Sequence, residues 1–106
     1  MSTGVSVSKT AIDSPELTPP IGPFSQAIKV DGFLFLGSQV GQDPTTGKLT
    51  PGGVVEEAPQ LFSNAAAVLR AADLGFDNVV SARPPAVCVA ALPLGAYVEI
   101  GMIAKP

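Results

Sequence analysis

The spacing of apolar and polar residues changes character along this chain, and each change marks an element. Ser25-Gln26-Ala27-Ile28-Lys29-Val30 and Phe33-Leu34-Phe35-Leu36-Gly37-Ser38-Gln39-Val40 are two β-rich runs separated by Asp31-Gly32. Asp-Gly between such runs predicts a hairpin, because both central residues of a type I′ turn need positive φ. Gly37 interrupts the second run, and a glycine inside a strand marks a bulge or a close approach by another backbone or a ligand. Asp43-Pro44-Thr45-Thr46-Gly47 and Pro51-Gly52-Gly53 then read as loops bracketing a short extended stretch around Leu49.

From Val55 to Ala72 the period lengthens. Leu61, Ala65, Val68, Leu69 and Ala72 fall at i, i+4, i+7, i+8 and i+11, a single apolar stripe on a helix. Glu56 and Glu57 lie near the positive end of its dipole, Pro59 is expected in the first turn, and Gly75 is expected to end the helix in the left-handed conformation. Phe76 to Val80 reads as a turn into a strand. Ala86 to Ala91 reads as a further strand, Leu92 to Gly95 as a turn, and Ala96 to Ala104 as the closing strand. Residues 1–20, rich in Ser, Thr and Pro and ending in Thr18-Pro19-Pro20, read as a loosely held arm with a short edge strand at Val5 to Lys9. Residues 21–106 are then the folded domain.

A hairpin, a helix and further strands predict an α+β sandwich with one sheet face covered by helix. One helix cannot cover both faces of so apolar a sheet, so the open face is expected to meet another subunit. Composition strengthens that expectation. Of the 106 residues 46% are hydrophobic and only 14% charged, against roughly 25% charged in ordinary soluble domains.

The same composition removes several kinds of chemistry. With no histidine and one cysteine, Cys88, a single chain can build neither a Ser-His-Asp nor a Cys-His centre, nor a zinc site. Cys88, between Val87 and Val89, reads as a small buried hydrophobe, and a lone thiol fits a reducing compartment. The net charge of −3 and the scattered Lys9, Lys29, Lys48, Arg70, Arg83 and Lys105 give no reason to attract nucleic acid. No apolar run reaches the roughly 18–20 residues of a membrane span and Met1-Ser2-Thr3-Gly4 is not a secretory signal, so a cytoplasmic location is expected, with a mitochondrial one compatible.

Few residues remain for chemistry. Glu99 is the one charge in Tyr97-Val98-Glu99-Ile100-Gly101-Met102-Ile103, where alternation puts it on a face with Tyr97, Gly101 and Ile103. It is either solvated at an edge or held in a partly buried pocket suited to general-base work. Arg83, ahead of Pro84-Pro85, could grip a carboxylate in bidentate fashion; the plainer reading is a solvated loop arginine. Ser38 beside Gly37 could offer a hydroxyl or backbone N–H groups. Phe24, Phe33 and Phe35 read first as core, since a base-stacking platform would need basic neighbours.

Set together, Ile21-Gly22-Pro23-Phe24-Ser25-Gln26-Ala27, Gly37-Ser38-Gln39-Val40-Gly41, Asp43-Pro44-Thr45-Thr46-Gly47, Gly52-Gly53-Val54-Val55-Glu56-Glu57-Ala58, Asp77-Asn78-Val79-Val80 and Val89-Ala90-Ala91-Leu92-Pro93-Leu94-Gly95-Ala96-Tyr97-Val98-Glu99-Ile100 resemble, in order and spacing, the RidA family, also called YjgF or L-PSP endoribonuclease-like proteins. The resemblance runs from about Pro19 to Ala104. It implies a chorismate-mutase-like α+β fold in a homotrimer with active sites between subunits. The activity it implies is hydrolysis of enamines and imines such as 2-aminoacrylate and 2-iminobutanoate to 2-keto acids and ammonia, with no metal or bound cofactor. An endoribonuclease or translation-inhibitor activity, also attributed to the family, and a non-catalytic ligand-binding or chaperone-like trimer are the alternatives.

By position, Glu99 matches the family glutamate that guides water, and Phe24 replaces a pocket aromatic that is often tyrosine. Gly37-Ser38 stands where the family has Ser-Gly. The arginine that binds the substrate carboxylate is assigned to Arg83, although counting back from Leu92-Pro93 lands on Pro84; a small bulge at the Pro-Pro step would restore the face. Gly101 replaces a second glutamate. Between Val80 and Arg83 only Ser81 and Ala82 stand where the family continues its strand and adds a second helix and a pocket asparagine. The chain is thus either a shortened relative or lacks an internal stretch of a longer protein, the latter favoured because so small a core should not survive the deletion.

Overall fold

In the computed structural model residues 9–19, 26–83, 96 and 99–106 are described. Five strands form one sheet, β1 (Lys9–Ile12), β2 (Ala27–Val30), β3 (Phe33–Gln39), β4 (Val79–Arg83) and β5 (Ile100–Ala104), in the order β1-β2-β3-β5-β4. Every neighbouring pair is antiparallel. One helix, α1 (Val54–Ala71), lies across the sheet. No described helix is long and apolar enough to cross a membrane.

The hairpin forms as expected. Asp31 (φ 49°) and Gly32 (φ 83°) make the turn, and Val30 pairs with Phe33 directly across it. Among the described residues the edge strand is Lys9–Ile12, pairing Lys9 with Val30 and Ile12 with Ala27; residues 5–8 of the expected strand lie outside the described residues. Beyond it the chain is tied down. The Gln26 side chain accepts from the Ser14 N–H and donates to the Thr18 carbonyl, while Asp13 accepts from the Gln26 N–H.

Alternation sorts the sheet into two faces. Leu34, Leu36, Ala27, Met102 and Ala104 are buried against Ala65, Val68 and Leu69 of α1, with Ile12, Leu74, Val79 and Ile100 around the rim. Full burial of each Leu or Val contributes about 1.5–3 kcal/mol, so this layer is the main source of stability. On the other face, strand register lines up Ala11, Ile28, Phe35, Ile103 and Ser81, with Phe33 beside Phe35 at a ring separation of 6.3 Å. Phe35 is 43% exposed. No described helix covers this face, as the apolar surplus predicts.

Both helix ends differ in detail from expectation. The helix begins at Val54, so Pro59 is its sixth residue, inside the helix and outside the first turn. Its ring faces solvent, and the carbonyl it leaves without an N–H belongs to Val55, 78% exposed, so the lost bond is not buried. At the other end Gly75 is extended (φ −138°); the left-handed residue is Asp73 (φ 60°). The Leu74 N–H donates to the Leu69 carbonyl and the Asp73 N–H to the Arg70 carbonyl, a Schellman closure that turns Leu74 back onto the core. A short side chain able to bond locally lets aspartate take that conformation. A single 3-10 turn, Phe76–Asn78, then leads into β4 as the sequence suggests.

The loop after β3 is fastened to the helix by a polar clamp. The buried Asn64 amide donates to the carbonyls of Val40 (3.0 Å) and Gln42 (2.8 Å), and its own oxygen accepts from Gln60 (2.8 Å). Gly41, between those carbonyls, lies against the helix backbone so closely that a Cβ there would stand 2.5 Å from the Glu57 carbonyl oxygen. Glu57 itself is buried.

Gly41→Ala should therefore lower the urea midpoint by an amount corresponding to about 1–3 kcal/mol. Asn64→Ala, which strips both carbonyls of their donor, should cost a similar amount. Because both act on one contact, the double variant should lose clearly less than the sum; strict additivity would show that loop and helix are not clamped together. A second prediction concerns the exposed pair in which Arg70 donates to Glu16 (2.8 Å). The hydrogen bond from Arg70 holds the Glu16 carboxyl below its usual value. A depressed carboxyl stabilises the fold above its unfolded-state pKa and loses that contribution as pH falls through its folded-state value. Glu16→Gln should thus lower the melting temperature slightly at pH 7 and low salt, with the difference closing on acidification and at high salt; a pH-independent difference would remove the ion pair as its cause.

Candidate functional site

Two strand irregularities shape one end of the sheet. Leu36 pairs with Met102 and Gln39 with Ile100, so Gly37 and Ser38 together face Gly101 alone, a β-bulge at the glycine that interrupts the hydrophobic run. On the far side Val79 pairs with Ala104 and Ser81 with Ile103, leaving Val80 as an extra residue. The Pro84-Pro85 step, where a bulge is expected from the sequence, falls outside the described residues; this second irregularity lies at Val80. Its effect is to bring Arg83 opposite Gly101.

Gly101 is thus the meeting point of three strands. It stands between Ile100 and Met102, which turn toward the helix layer, so Gly101 and its register partner Arg83 belong to the open face. A Cβ on Gly101 would stand 3.6 Å from the Ser38 hydroxyl and 4.0 Å from the Arg83 carbonyl. Glu99, two residues earlier on the same alternation, is 8% exposed. Burial resolves the choice left open by the sequence: this carboxylate is not at a solvated edge.

The other candidates are accessible. Gly37, Ser38 and Arg83 are exposed. The Arg83 guanidinium donates to the Ser81 hydroxyl at 3.4 Å, a long contact that leaves most of its donors available. Ser38 has no hydrogen bond to its hydroxyl among the described residues. Phe24 and Cys88 lie outside the described residues. Hence Ser38, Gly101 and Arg83 are brought together, with Glu99 immediately before the strand that holds Gly101. A separate shallow pocket of about 400 Å³ between Asp43, Lys48, Thr50 and Pro51 contains none of them.

Two contributors escaped the sequence reading. Gly101 drew notice only as a departure from a family pattern, although its alternation with Glu99 already put both on one face. Asn64 sits in the apolar stripe between Leu61 and Ala65, and a lone amide at such a position was the available signal for a buried clamp.

An α+β sheet with one covered face, and polar residues gathered at a bulge on the open one, defines the class of protein to which comparison then gives a family. The Endoribonuclease L-PSP family matches residues 15–84, and the chain belongs to it. The mouse protein named 2-iminobutanoate/2-iminopropanoate deaminase is 45% identical over 75 residues, 71% of this chain and 56% of its own length. A RutC family protein of Aquifex aeolicus is 45% identical over 69 residues, 65% of this chain and 54% of its own length. The chain therefore spans a little over half the length of the curated relatives it matches. Among solved structures, the conserved Rid-family protein YyfA from Yersinia pestis superposes with a TM-score of 0.84 at 30% identity, over 93% of this chain and 100% of that one. An Entamoeba histolytica protein described as a putative endoribonuclease L-PSP gives 0.83 at 28% identity with the same coverage. The α+β fold and the RidA/YjgF relationship expected from the sequence are thus shown.

Proposed function

We propose that this protein hydrolyses reactive 2-imino acids and their enamine tautomers to 2-keto acids and ammonia, as a homotrimer whose sites lie between subunits. The observation that carries the reading is the convergence of Ser38, Gly101 and Arg83 on the sheet face that also bears Ile28, Phe35 and Ile103. A second subunit seated on that apolar row would roof the site and exclude water from it. The names of the curated relatives support the chemistry, and the lone thiol supports a cytoplasmic setting.

In this reading the Arg83 fork holds the substrate carboxylate. An enamine takes a proton on its methylene carbon to become the iminium ion, the protonated form of the imine. Glu99 then orients a water against the imine carbon and accepts its proton as the C–O bond forms. Returning that proton to the amine nitrogen makes ammonia the leaving group; as the C–N electron pair departs with it, the carbinol hydroxyl gives its proton to Glu99 and on to solvent, and the carbonyl closes. Phe24, outside the described residues, is assigned to the pocket by the family resemblance alone, and Gly37-Ser38 supplies backbone and hydroxyl contacts. Each step balances with water as the only co-reactant.

Ribonuclease action is the weaker reading despite the family's name, because the chain has no histidine and its net charge is −3. The chain's length adds one requirement. Phe62 (43% exposed), Phe76 (47%) and Val80 (64%) leave apolar surface beside β4, where the strand-and-helix segment attributed to the family would continue; intact mass of the native protein decides whether it carries such a segment.

The test is ammonia release from imines generated in situ, compared among wild type, Arg83→Ala and Glu99→Gln. Arg83→Ala should act mainly through KM, lowering kcat/KM about 10- to 100-fold, as expected for a charge-assisted contact. Glu99→Gln should act on kcat, by about 100-fold or more. Three equal rates would remove the mechanism; binding of 2-keto acids without turnover would point instead to a ligand-binding trimer, and RNA cleavage that survives purification to the ribonuclease.

A further inference from the structure

We infer that the notch over Gly101 receives the α-substituent of the substrate, making Gly101 the residue that sets how large a 2-imino acid the site takes. The inference rests on the deaminase reading and deepens it. Carboxylate and reacting carbon are claimed by Arg83 and Glu99, and a 2-imino acid has one further group to place. Gly101 lies directly across from Arg83 and two residues along the chain from Glu99, which precedes the strand, so the remaining substituent falls over it.

The notch is open for a spatial reason and not a conformational one. Gly101 has no positive φ, so its backbone suits any residue. A Cβ placed there meets nothing nearer than the Ser38 hydroxyl at 3.6 Å, an ordinary contact. Alanine therefore fits without displacing a neighbour, and what glycine provides is empty volume on the open face. The bulge bounds that volume on one side with Ser38, and Arg83 bounds it on the other. Substitutions here should fold, since glycine inside a strand is itself mildly unfavourable.

The experiment compares wild type, Gly101→Ala and Gly101→Val on imines carrying methyl, ethyl and propyl substituents. Binding of pyruvate, 2-oxobutanoate and 2-oxopentanoate is measured in parallel by calorimetry. Wild type should accept all three lengths. Gly101→Val should keep the methyl substrate within about 3-fold while losing about 10-fold or more on the propyl one, with Gly101→Ala between, and the affinity for 2-oxopentanoate should fall in step. Equal losses at every length, or none, overturn the inference while turnover itself upholds the deaminase reading. If no imine is turned over yet Gly101→Val still discriminates against 2-oxopentanoate in binding, the notch stands and the deaminase reading fails. Absence of both turnover and binding overturns both.

Discussion

Two hydrogen bonds from one buried amide hold the parts of this structure in relation. Asn64 donates to the carbonyls on either side of Gly41, and Gly41 in turn lies on the helix backbone at Glu57. The hydrophobic layer between α1 and the sheet supplies more free energy but is tolerant of sliding, because apolar contacts have no direction. The clamp is directional. It fixes where the chain leaves β3, only a residue beyond Gln39, and Gln39 is the first regular pair after the bulge that carries Gly37 and Ser38.

The bulges convert a regular ladder into a site. In an unbroken antiparallel pair, residues 37 and 38 would fall on opposite faces and each would meet its own partner. With two residues against Gly101 alone, the strand bends and Ser38 comes over the glycine. The extra residue at Val80 shifts the edge strand by one position, which decides that Arg83 and not Ala82 belongs to the open face. Such shifts leave the buried side intact, since Leu36, Met102 and Ala104 keep their places against the helix.

What could be read from the sequence follows the range of the interactions involved. The Asp31-Gly32 turn and the stripe from Leu61 to Leu69 are local patterns, and the fold realises both. The left-handed residue that closes the helix is Asp73 and not Gly75, although glycine usually takes that place, because the hydrogen bonds from Asp73 and Leu74 and the packing of Leu74 outweigh that preference. Pro59 could lie beyond the first turn because its missing bond falls on the solvated side. The face of Arg83 was not legible at all, since it depends on pairing with a strand some twenty residues away and on an irregularity at Val80 that no local signal announces. Of the site, Glu99 could be named from its isolation in an apolar strand, but its burial required the fold.

The placement of the candidate residues puts the proposed chemistry on the uncovered face of the sheet. Arg83, Gly101 and Ser38 lie on the sheet face with Ile28, Phe35 and Ile103, and the helix layer occupies the opposite side. A carboxylate–guanidinium contact on a face open to water is screened and weak; the same contact under an apolar roof is strengthened as the local dielectric falls. Whatever covers the Ile28–Phe35–Ile103 row also bounds the space above Gly101, so the apolar surplus and the reactive residues answer one requirement. Among the described residues the one α-helix is committed to the core, so these elements leave the open face without a cover of their own. A second copy seated on the open face, as proposed, would supply both a stable contact and a dry site.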